Sequence, residues 1–153
     1  MATKKTTVTK KKAAPKKAAP EKKEARYWEA VGRRKTAVAR VRIREAKSQG
    51  WVVNQKPLQE YFQDAEYRTV AKEAVERGAP GTAFDVSILV KGGGMRSQAE
   101  AVRHALARAL VVWDEAMRDS MKTLKFLTRD PRMRERKKFG LKRARRARQW
   151  RKR

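Results

Sequence analysis

The stretch FDVSILVKGGGMRSQAEAVRHALARALVVW, residues 84–113, decides the fold class. Phe84, Val86, Ile88 and Val90 recur at every second position. That period, with β-branched residues, marks a strand buried on one face. Lys91-Gly92-Gly93-Gly94 breaks it. From about Arg96 the apolar residues return at three- and four-residue steps, as Val102, Leu106, Ala109, Leu110 and Trp113, which is the stripe of a helix. Arg96, Glu100, Arg103 and Ala107 fall on the opposite side of that helix.

Upstream, Thr36 to Arg44 alternates again. Ala37, Ala39, Val41 and Ile43 point one way; Val38, Arg40, Arg42 and Arg44 point the other. Residues 45–50 form a turn, and Trp51 to Asn54 reads as the returning strand of a hairpin. Pro57 opens a short helix over 57–62, where proline is tolerated in the first turn. Asp64 can cap a second helix running to about Arg77; Gly78, Pro80 and Gly81 end it. Downstream, Asp114 can cap a fourth helix to about Lys125, and no apolar period returns after Leu127. Three or four strands with about four helices and few βαβ repeats predict an α+β domain over residues 27–127. Trp28, Trp51 and Trp113 are assigned to its core.

Two segments of different composition flank this domain. Residues 1–26 are Lys, Ala, Thr and Pro with no aromatic residue and are expected to be disordered. A mitochondrial transit peptide would be rich in Arg and Ser; this segment has no Ser and is interrupted by Pro15 and Pro20. Residues 128–153 form a basic tail. The chain of 153 residues carries a formal net charge of +26. Residues 1–26 hold ten basic and two acidic groups, 27–131 nineteen and thirteen, and 132–153 thirteen and one. Most of the excess therefore lies outside the domain. A polyanionic partner explains such an excess better than any fold does. With no cysteine and one histidine, the chain is expected to hold no disulfide, metal or cofactor. No apolar run approaches the length that spans a bilayer, so no membrane association is expected and the chain is read as soluble and intracellular.

The tail, RMRERKKFGLKRARRARQWRKR from Arg132, points to RNA. Arg outnumbers Lys nine to four, and the guanidinium fork fits phosphate and stacks on bases. Phe139 and Trp150 lie inside the run, as suits unpaired bases. Gly140 allows a bend. Fully extended, the tail spans roughly 70–75 Å at about 3.3–3.6 Å per residue. A second basic group is Arg33, Arg34 and Lys35 with Arg40, Arg42 and Arg44. Charges that protect an edge strand would look similar, but three arginines on one face exceed that need. The Gly92–Gly94 loop before a helix can present N–H groups to a phosphate; it lacks the residues of a nucleotide P-loop. His104 has no catalytic partner in sequence and reads as a structural or RNA-bonding group. A histone-like nucleic-acid binder and a phosphate-handling enzyme are the rival classes.

Four segments resemble the small-subunit ribosomal protein S-nine family, over about residues 27 to 153. They are GRRKTAVARV (32–41), VNQKPLQEYF (53–62), GGGMRSQAEAVRHALARAL (92–110) and FLTRDPRMRERKKFGLKRARR (126–146). The third carries the signature of three glycines, Gln98, Ala101, Arg103, His104, Arg108, Ala109 and Leu110. The resemblance implies a structural protein, not an enzyme, in cytoplasmic bacterial ribosomes. It implies a sandwich like the second domain of ribosomal protein S-five, with a left-handed βαβ crossover, bound to rRNA of the small-subunit head beside neighbouring head proteins. Its implied rRNA contacts are Arg33, Arg34, Lys35, Arg40, Arg42, Lys91, Gly92, Gly93, Gly94, Arg96, Gln98, Arg103 and His104 in the domain. In the tail they are Arg129, Arg132, Arg134, Arg136, Lys137, Lys138, Lys142, Arg143, Arg145 and Arg146. Arg151, Lys152 and Arg153 would approach peptidyl-site tRNA. The ending departs from the family's usual Pro-Gln-Phe-Ser-Lys-Arg: Arg148 and Trp150 replace the proline and phenylalanine.

Overall fold

The computed structural model describes residues 27–150. The extension expected to be disordered and the proposed tRNA-facing residues Arg151 to Arg153 lie outside that range. Five strands form one mixed sheet: β1 (Trp28–Arg34), β2 (Ala37–Glu45), β3 (Gly50–Val53), β4 (Lys56–Pro57) and β5 (Phe84–Lys91). Their order is β1-β2-β5-β3-β4. All neighbours are antiparallel except β3 and β5. The crossover between those two carries α1 (Leu58–Tyr61) and α2 (Ala65–Gly78). Helix α3 (Met95–Trp113) follows β5; a 3-10 turn (Glu115–Met117) and α4 (Arg118–Thr123) close the domain.

The alternation in sequence became the two faces of the sheet. Ala37, Ala39, Val41 and Ile43 of β2 and Phe84, Val86, Ile88 and Val90 of β5 are buried. The intervening residues of both strands face outward, and Val38 and Leu89 are exposed there. Helix α3 lies across β1 and β2 on the inner side, with α2 beside it. Among the described residues, the long helices α2 and α3 both pack on the inner side.

Strand β1 was not expected. Its sequence WEAVGRR combines a glycine with two arginines and lacks a β-branched run. It exists because the two-residue turn Lys35-Thr36 pairs Arg34 with Ala37 and because α3 packs on it. Lys35 takes the positive φ (51°) that such a tight turn demands. At Gly32 any side chain would strike the Ala101 carbonyl and the backbone of Ala105. Glycine there, opposite alanines, lets strand and helix touch backbone to backbone.

Other expectations change. Trp51 to Asn54 does not return along β2: β5 lies between β2 and β3, and β3 pairs in parallel with β5 and antiparallel with β4. Pro57 belongs to β4 and caps α1 from outside, so that helix starts at Leu58. Ala107 is fully buried, not on an open side. α3 is covered by α2 as well as by the sheet, so its buried arc is wider than one stripe. Asp64 occupies the N-cap of α2 without a side-chain cap bond. Asp114 accepts from the Ala116 N–H and caps the 3-10 turn, so the fourth helix starts later and ends at Thr123. Trp28, Trp51 and Trp113 pack against the core but are only partly buried. Trp113 sets its ring edge-on to Phe84 and donates to Glu45 at 2.6 Å.

Candidate nucleic-acid interface

Three segments far apart in sequence meet where the tail leaves the domain. Arg33 and Arg34 end β1; Arg96, Glu100, Arg103 and His104 lie along α3; Arg129, Asp130 and Arg132 begin the tail. Strand alternation turns Arg33 outward and Arg34 inward, toward α3. The Arg34 guanidinium pairs through Nε with Glu100 and through Nη2 with Asp130 at 3.0 Å. Its Nη1 donates to the carbonyl oxygens of Asp130 (3.3 Å) and Arg132 (2.9 Å). Only 14% of the side chain is exposed. Asp130 also accepts the Arg132 backbone N–H (2.9 Å) and its guanidinium. Those bonds, the side-chain bonds first, lower the Asp130 carboxyl to about 2.

His104 braces the same junction. Its Nδ1 accepts the Arg33 backbone N–H at 3.3 Å, which fixes the proton on Nε2 in the neutral ring. Burial lowers its pKa, and the charges of Arg108 and Arg129 lower it further. The imidazole is therefore neutral at neutral pH. Arg103 pairs with Glu73 at 2.7 Å and lies over the Phe126 ring.

Between these groups is a cavity of about 280 Å³ lined by seven cations and two carboxylates. The cation excess suits an anionic ligand. Lys125, from the turn after α4, lines it too; nothing in its sequence context singled it out. Arg108, which appeared only within the signature, donates to the Val31 carbonyl and ties α3 to β1.

On the outer face, Arg40, Arg42 and Arg44 point away from the core as expected. β2 is a central strand, however, paired on both sides, so edge protection does not account for them. Arg42 pairs with Glu29 at 2.6 Å and lies over the Tyr27 ring. Arg40 reaches the same Glu29 at only 3.8 Å. Arg33, Arg40 and Lys91 border a broad groove whose floor includes Val31, Val38 and Leu89.

The glycine loop serves the fold first. Gly92 (φ 76°) and Gly93 (φ 68°) take conformations that favour glycine, and a Cβ on Gly93 would press on Ala37. Gln98 donates to the Gly92 carbonyl (3.0 Å) and accepts from the Tyr61 hydroxyl (2.8 Å). Gln98 thus braces the loop from within. Arg96 is exposed and pairs loosely with Glu100 at 3.5 Å.

From Arg132 the chain is exposed almost throughout, with no helix up to Trp150. Arg134, Arg136, Lys137, Lys142, Arg143 and Arg146 all face solvent. Glu135, the lone acid, holds Lys138 at 2.9 Å and Arg145 at 2.8 Å. An isolated bridge joins Leu141 to Ala147, and Gly140 takes φ 79° at the bend. This local loop shortens the tail's reach below full extension. Phe139 and Trp150 are exposed.

Among the described residues no helix is long and apolar enough to cross a membrane, and no acid or histidine cluster could hold a metal ion. The profile of the family "Ribosomal protein S9/S16" matches residues 32–153, from Gly32 of the β1–α3 contact through the tail. The chain is similar to the small ribosomal subunit protein uS9 of Chlorobaculum parvum, 47% identical over 119 residues, which cover 78% of this chain and 92% of that one. It is similar to the same degree, over the same shares, to uS9 of Chlorobaculum tepidum. A junction, a glycine loop and a tail that all fall inside one family profile leave a single assignment: the chain belongs to the ribosomal protein S9/S16 family.

Proposed function

We propose that the protein is a structural constituent of the small subunit of cytoplasmic bacterial ribosomes, not an enzyme. It binds rRNA in the subunit head, beside neighbouring head proteins. The observation that carries this reading is that the family match runs through the tail, so the most basic segment belongs to the shared design. The parallel β3–β5 pair with two helices in its crossover is compatible with the left-handed sandwich related to the second domain of ribosomal protein S-five.

The domain supplies the register. Its junction cavity and the Arg33–Arg40–Lys91 rim offer phosphates a fixed set of cations, and such contacts position a protein without reading sequence. RNA shape and unpaired bases supply the selectivity. The tail adds many ionic contacts and exposed aromatic faces and becomes ordered as it binds. Arg151, Lys152 and Arg153, at the end of that path, contact the phosphates of peptidyl-site tRNA.

Sucrose-gradient sedimentation with purified small subunits is the direct test. The full chain is expected to travel with the subunit, and duplex DNA in excess is not expected to strip it off. A chain that stays at the top of the gradient and binds duplex DNA as tightly as rRNA is instead a general polyanion binder. Removing residues 151–153 is expected to leave co-sedimentation intact and to weaken tRNA retention in the peptidyl site; unchanged retention contradicts the tRNA contact.

A further inference from the structure

Arg34 lies among cations that suit RNA, yet most of its own hydrogen-bonding capacity is spent inside the protein. A guanidinium has five N–H donors in a fixed fork. Here Nε faces Glu100, Nη2 faces the Asp130 carboxylate, and Nη1 faces two tail carbonyls. A phosphate could claim this fork only by displacing two carboxylates from a site of low exposure. We propose that Arg34 is a positioning residue: with Glu100 and Asp130 it forms a clamp that fixes the direction in which the basic tail leaves the domain. This rests on the reading of the tail as an RNA-binding segment.

The clamp joins three elements. It reaches 66 residues along the chain to Glu100 on α3 and 96 and 98 residues to the backbone of Asp130 and Arg132. Asp130 is held a second time by its own turn, since its carboxylate accepts the Arg132 N–H. Between them, Pro131 has its φ fixed by its ring. Asp130, whose carboxyl is lowered to about 2 chiefly by its bonds from Arg132, carries its charge opposite Arg34 at neutral pH. A tail whose first residues are already ordered loses less conformational entropy when it threads RNA. The two acids are otherwise out of place. Next to a site for a polyanion, a carboxylate lowers affinity unless it does something else.

That gives a test with opposite signs. Asp130→Asn and Glu100→Gln each raise the net charge and release Arg34. If Arg34 were an RNA contact restrained by acids, both variants would bind a head-domain rRNA transcript more tightly. The clamp predicts weaker binding, by roughly three- to tenfold, because pre-ordering at the root is lost. The log–log slope with salt should stay the same, since no phosphate contact is removed; each lost contact would flatten it by roughly 0.7–0.9. Arg34→Lys, which keeps the charge but not the fork, should behave like the acid variants.

A second readout does not involve RNA. The sequence has no cysteine, so Ser48→Cys and Met133→Cys in the full chain give two unique spin-label sites, both exposed. The distance distribution should be narrow in the parent and broad in Asp130→Asn, Glu100→Gln and Arg34→Lys, with each melting cooperatively. Tighter or unchanged RNA binding by the acid variants, a flattened salt slope for Arg34→Lys, or an unbroadened distance overturns the proposal. Failure of the parent to bind rRNA would remove the RNA reading and leave the distance result to decide the clamp.

Discussion

His104 connects strand β1 and helix α3 through one ring. The Arg33 N–H meets its Nδ1, while burial and two nearby guanidinium charges keep it neutral. Its pKa in the folded protein is below the ordinary value of 6.5. The unfolded chain therefore binds its proton first as pH falls, and the stabilisation from this group has a definite sign. It is complete above about 6.5 and is lost as pH drops through the lowered value. An NMR titration should give a His104 midpoint under 6.5, and His104→Gln should remove that part of the pH dependence of melting. A phosphate settling in the adjoining cavity would add negative charge and move the midpoint back up on addition of rRNA. From sequence, the lone histidine could be placed beside Arg103 on a helix, but not beside Arg33, because that contact spans 71 residues.

At the scale of elements, β2, β5 and α3 were legible because each repeats its pattern long enough to be read. Strand β1 was not, since its pairing depends on Lys35 accepting a positive φ and its packing depends on a missing side chain at Gly32. Neither leaves a hydrophobic period. Gly32→Ala tests this directly. The added methyl meets backbone, which cannot rotate away, so β1 and α3 must separate. The expected cost is about 1–3 kcal/mol, the range for overpacking a close contact, read as a lower denaturation midpoint with the m-value unchanged. Parent-like stability would mean that β1 and α3 do not touch backbone to backbone. The same local blindness explains the candidate site. Sequence picked out Arg34 as a cation for RNA because its motif is basic; its partners Glu100 and Asp130 are visible only once α3 and the tail root come together.

At the scale of the whole molecule, charge is divided unevenly between domain and tail. The domain between residues 27 and 131 is close to an ordinary balance, with nineteen basic and thirteen acidic groups, while 132–153 holds thirteen against one. The sequence therefore located the tail without any structure. It did not locate the loop within it, which hangs on Glu135 bridging Lys138 and Arg145 and on the Leu141–Ala147 bridge. Such a loop keeps cations bunched rather than strung out. If about eight tail cations meet phosphates, log affinity should fall with log salt at a slope of roughly −6 to −7 for single-stranded-like sites. The decisive measurement is that slope on a head-domain rRNA transcript, for the full chain and for a chain ending at residue 131. A much shallower slope for the shorter chain is the predicted result; equal slopes for the two would contradict RNA binding by the tail.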